Sequence, residues 1–200
     1  MIHESFGKGT IRSVDGRKLF GLRSGDLYMY SKGNYVVHSN NGICRVEDIV
    51  VMNMGEGDKE YYLLIPIKEQ ASKIYFPTNN TGQRIRMAMD KENASQLIDN
   101  IERVEEICIQ NEKECEKIYR ENMTSNDPCK LIALIKTITH RKSVREKTGK
   151  KCTAVDKKYL KLAESQLYGE LSHALQMENE QLEQLILHKF YYKNEITGES

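Results

Sequence analysis

The chain has no tryptophan and only three prolines, and its five cysteines, Cys44, Cys108, Cys115, Cys129 and Cys152, never stand as C-x-x-C. Scattered and odd in number, they outline neither a disulfide framework nor a zinc site and read as reduced thiols. No apolar run approaches the roughly 20 residues that cross a bilayer, so the composition argues against an integral membrane protein. Lys8 and Arg12 near the start are not followed by a continuous apolar stretch or a small-residue cleavage site. No secretory signal is read there, and a cytoplasmic location is expected. Catalytic templates are missing too: there is no G-x-S-x-G, no Walker glycine loop and no H-E-x-x-H, and the five histidines are dispersed. The expectation is a protein that is not an enzyme and needs no cofactor or metal.

What is present is charge, sharply segregated. Charged residues make up 30% of the 200-residue chain, yet the formal net charge is only +1. Between Lys130 and Lys161 eleven basic residues face only Glu146 and Asp156, a net +9, whereas Glu102 to Asp127 carries a net −4. The first of these is a candidate polyanion surface, centred on the basic turn of Arg141, Lys142, Arg145, Lys150 and Lys151. For any single lysine, a solvated helix face explains the charge equally well.

The texture changes along the chain. Residues 1–28 are rich in glycine and charge, without a sustained period, and read as a leader outside the fold. One reading places the true start at Met29, with Gly25-Asp26 encoded by a ribosome-binding-like stretch. From Tyr30 short β-branched and aromatic runs are cut by Lys32-Gly33-Asn34, Asn40-Asn41-Gly42 and Gly55-Glu56-Gly57-Asp58, residues that tolerate positive φ. Strands this short are expected to close into a small SH3-like or Tudor-like β-barrel. Pro66 and Pro77 are placed at strand ends or on an edge, where a missing ladder donor is tolerated. After Asp90 the spacing is helical: Leu97, Ile98, Ile101, Val104 and Ile107 form one apolar series. Asn126-Asp127-Pro128 starts a second helix, Thr153-Ala154-Val155-Asp156 opens a third as a capping box, and a last one is read from about Asn179 to Phe190. The fold class is therefore α+β: leader 1–28, a β-module over 29–86, and an all-α bundle of four or five helices over 90–195.

One stretch carries a family pattern. Tyr30-Ser31-Lys32-Gly33-Asn34-Tyr35-Val36-Val37-His38, Gly42-Ile43 and Val46-Glu47-Asp48-Ile49 are followed by Tyr61-Tyr62-Leu63-Leu64 and Ile74-Tyr75-Phe76-Pro77. This run of about fifty residues resembles the RNA-polymerase-interaction domain shared by the CarD/CdnL regulators and the transcription-repair coupling factor. In the helical half, Lys117-Ile118-Tyr119-Arg120 resembles the basic-aromatic helix of CarD-type regulators, and Thr153-Ala154-Val155-Asp156-Lys157-Lys158 with Gly169-Glu170-Leu171 resembles another of their helices. That extension favours a stand-alone regulator over a helicase-fused module.

The resemblance implies docking on the β-subunit lobe of RNA polymerase through a sheet edge comprising Val50, Val51, Met52, Asn53, Ile74, Tyr75 and Phe76. It also implies contact of the helical domain with promoter DNA near the upstream edge of the bubble. Lys117 and Arg120 match basic positions, Lys157 lies near the Thr153 N-cap, where helix amides assist a phosphate contact, and Cys115 stands where many relatives carry a bubble-inserting tryptophan. Relatives place arginines where Met52 and Tyr75 stand, so a more apolar contact is expected here. Two rivals stay open: a polymerase-binding adaptor without DNA contact, and an RNA-binding barrel using Tyr61, Tyr62 and Tyr75.

Overall fold

The computed structural model describes residues 11–13, 29–53, 55, 57–79 and 84–196. Most of the stretch read as leader, residues 1–10 and 14–28, lies outside these residues, whereas Met29 lies within them. The chain divides into two compact units, residues 1–36 with 44–87, and residues 37–43 with 88–200. The second unit thus takes in the 37–43 hairpin tip as well as the segment expected to be helical.

The first unit is built on a sheet with strand order β5-β4-β3-β2-β6. The strands are β2 Tyr35–His38, β3 Gly42–Asn53, β4 Asp58–Pro66, β5 Ile74–Pro77 and β6 Ile85–Met87. A further strand, β1 Ile11–Ser13, lies off this path and pairs antiparallel with β3, within the stretch read as leader. Among the described residues no pairing joins β5 to β6, so the sheet is open and the expected closed barrel is not found. The hairpin between β3 and β4 turns at Gly55 and Gly57, at φ +93° and +99°, values that favour glycine.

A register shift between Val46 and Asp48 marks a bulge in β3. An extra residue reverses which side chains point inward. Cys44 and Val46 before the bulge and Ile49 after it therefore share one face with Tyr62, Leu64, Ile74 and Phe76, the core of this unit. Val50, Met52, Leu63 and Tyr75 lie on the opposite face.

The second unit contains α1 Lys91–Asp99, α2 Cys115–Thr124, α3 Pro128–Lys147, α4 Ala154–Leu175 and α5 Asn179–Ile196. Asp90 caps α1 by accepting from the Asn93 amide at 2.8 Å, and Asp127, with Pro128 following it, caps α3 by accepting from Cys129 at 2.9 Å. The apolar series from Leu97 to Ile107 does not stay helical. Residues 101–103 form a single 3-10 turn and Val104 is extended, because distant groups take up the backbone. Lys136 Nζ donates to the Glu102 and Val104 carbonyls at 3.2 and 2.7 Å, and the Ile107 amide donates to Thr137 Oγ1 at 2.8 Å. Val104, Ile107 and Ile109 still pack on the helical core of Leu131, Ile135, Leu167 and Leu171. No helix among the described residues is long and apolar enough to cross a membrane.

Candidate functional site

The sheet carries the first candidate surface. β4 lies between β3 and β5, so Val51, Met52 and Asn53 do not share an edge with Ile74, Tyr75 and Phe76, contrary to the expectation from sequence. Met52 and Phe76 are both buried, and Phe76 packs in the core. Asn53 is tied into the hairpin tip, donating to Asp58 Oδ1 at 2.8 Å and accepting from the Gly55 amide at 3.0 Å. Tyr75 and Val51 are half-buried. β5 ends the strand order, and among the described residues its strand partner is β4. At Val50, Val51 and Met52 one side of β3 pairs with Tyr61, Glu60 and Lys59, and the other pairs with Ser13, Arg12 and Ile11.

The helices hold the second. Of the nine residues expected at DNA, three have structural duties. Cys115 is buried in the helical core, its thiol pushed up by burial, and it presents nothing to a nucleic acid. Arg141 makes two bonds of 2.8 Å to the Glu112 carboxylate, and its Nε lies 3.4 Å from Asp156 Oδ1. The guanidinium in turn holds the Glu112 carboxyl below its ordinary range through that bidentate bond. Arg145 Nε donates to the Lys151 carbonyl at 3.0 Å and so fixes the turn after α3. In that turn Gly149 adopts φ +71°, and the Lys150 amide returns to the Arg145 carbonyl at 2.9 Å.

This turn gathers four of the remaining lysines. Lys142, Lys150, Lys151 and Lys157 line one open concavity of about 480 Å³ with Glu146, Gly149 and Cys152. All four are exposed, and among the described residues none has an ion pair. The charge of Lys142 does act on the partly buried Glu164 carboxyl, opposing the upward shift that burial gives it. Lys117 and Arg120 are exposed on α2 and do not line the concavity; Lys117 pairs with Glu121 at 4.0 Å.

Residues 30–89 match the CarD-like/TRCF RID domain. The RID domain takes in strands β2 to β6 and ends just before α1; β1 and the five helices lie outside it. It is an RNA-polymerase-interaction domain, and its presence supports, in general terms, an RNA-polymerase-interacting transcription factor. Among curated proteins none matches the chain.

Sequence reasoning missed the partners that hold this frame. Tyr119 donates to Asp156 Oδ1 at 2.9 Å, and Asn126 Nδ2 donates to the Val37 carbonyl at 2.8 Å. Asp156 had a visible role as the fourth residue of the Thr153 cap, and Thr153 Oγ1 does accept from the Asp156 amide at 3.0 Å. Its carboxylate turns instead to α2 and α3. Glu170, in the Gly169-Glu170-Leu171 motif, is fully buried and accepts from the Met89 amide at 2.9 Å. Among the described residues no cluster of His, Cys, Asp or Glu is placed to hold a metal ion.

Proposed function

We propose that the protein is a non-enzymatic, cytoplasmic CarD-like regulator whose RID domain docks on the β-subunit lobe of RNA polymerase while its helical unit holds promoter DNA by phosphate contacts near the upstream edge of the bubble. The match over residues 30–89 carries the polymerase half. A small sheet that offers a strand edge extends a partner's sheet by main-chain hydrogen bonds, with alternate side chains setting specificity. The side of β3 at Val50, Val51 and Met52 that faces away from β4, and the sheet face that Val50 and Met52 share with Tyr75, suit that mode. The four lysines around one concavity support the DNA half, because ammonium groups free of ion pairs displace counterions from phosphates. Docking raises the local concentration of DNA, so a weak basic surface suffices.

A polymerase-only adaptor is the second reading, favoured by the burial of Cys115 where relatives insert a tryptophan. Photo-crosslinking from Lys150 or Lys151 in a holoenzyme–promoter complex separates the two. Crosslinks to upstream DNA support the regulator; crosslinks to polymerase alone leave the adaptor.

A further inference from the structure

The pairing of β1 with β3 bears on how docking is controlled. Strand β3 is twelve residues long and β2 only four, so the side of β3 that β2 covers near its start extends beyond β2. At Val50, Val51 and Met52 the opposite side is filled by β4, which leaves this side as a short strand-acceptor edge. In the structure Ser13, Arg12 and Ile11 occupy it in antiparallel register. These three residues lie outside the matched RID domain, so the domain's own edge is covered by a segment appended to it. An uncovered row of backbone donors and acceptors is a template for any extended strand.

We infer that Ile11–Ser13 is an autoinhibitory strand: it occupies the β3 edge at Val50–Met52 in place of a strand from the polymerase lobe and must be displaced for that edge to engage. The inference rests on the docking reading above and specifies its regulation. Three residue pairs make a small contact, which suits a reversible cover. An edge covered two-thirds of the time lowers apparent affinity about threefold, and displacement restores it.

The test uses the full chain and RNA polymerase core enzyme in a binding titration. Arg12→Pro removes a backbone donor and disfavours the ladder at β1. It is expected to tighten binding about threefold or more while leaving the melting temperature unchanged. Arg12→Cys combined with Val51→Cys places two thiols at directly paired positions. The oxidised form is expected to bind about tenfold more weakly than the reduced form, with dithiothreitol restoring affinity and the wild type unaffected by the same oxidant. Equal affinities for wild type, Arg12→Pro and both redox states overturn the inference while the docking reading stands. If none of the proteins binds, including Arg12→Pro, the docking reading falls and the inference with it.

Discussion

The Tyr119 hydroxyl donates to Asp156 Oδ1 at 2.9 Å, joining the Lys117-Ile118-Tyr119-Arg120 segment of α2 to the first turn of α4. Both groups are fully buried, and among the described residues Asp156 Oδ2 has no hydrogen-bond partner. The carboxylate therefore depends on Tyr119 and on the nearby Arg141. Tyr119→Phe removes one of the two and is expected to destabilise the helical unit by about 1–3 kcal/mol, the usual cost of stranding a buried polar group. Urea unfolding followed by circular dichroism measures it; a shift below a few tenths of a kcal/mol would show that the pair contributes little.

Cys115 packs beside the same tyrosine, with a relative exposure of 5%. Cys115→Trp is therefore expected to overpack the core and cost about 1–3 kcal/mol or more, rather than to supply a bubble wedge. Differential scanning calorimetry decides this, and an unchanged melting temperature would place residue 115 at the surface.

The lysine concavity makes a graded prediction. Replacing Lys142, Lys150, Lys151 or Lys157 by Glu should shorten promoter-complex lifetime, with the slope of log affinity against log salt falling by about one for each lost phosphate contact. Lys158→Glu is the comparison, because Lys158 Nζ pairs with Glu116 at 3.3 Å and does not line the concavity. Equal effects from Lys158 and the four would reduce the patch to general electrostatics.

Burial pushes the Cys44 thiol up to about 12, and its side chain is fully enclosed by the sheet core, whereas Cys108 and Cys129 are exposed. Since the thiolate is the reactive form, iodoacetamide at pH 8 should label Cys108 readily and Cys129 more slowly, burial and Asp127 having raised the Cys129 thiol. Cys44 should label only on unfolding. Peptide mass spectrometry of native and urea-unfolded protein gives the comparison, and rapid native labelling at Cys44 would show that the sheet opens.

Local chemistry announced the hairpins and the starts of α3 and α4: Gly55 and Gly57 at one tip, Asp127-Pro128 and Thr153 at the two helices. The stretch after α1 was misread because Val104 and Ile107 keep helical spacing while their backbone is held by Lys136 and Thr137, about thirty residues away. A period cannot report a partner at that distance. Nor can a charge count distinguish Arg141, which is bound to Glu112, from Lys150, which is not. The bulge at Val46–Asp48 changes which β3 residues face the core, so the edge read from the family pattern mixed positions from both faces of the sheet. Asn126, buried at φ +56° and bonded to Val37 and Gln166, gave only a helix-start signal.

Docking of the RID domain on polymerase is tested most directly by binding of the full chain to the isolated β-subunit lobe. Calorimetric titration is expected to give a saturable one-to-one complex. Tyr75→Glu, which sets a charge on the sheet face shared with Val50 and Met52, should weaken it about tenfold or more, at least 1.4 kcal/mol. Absence of heat and of any complex with the lobe, for both wild type and Arg12→Pro, would contradict the account.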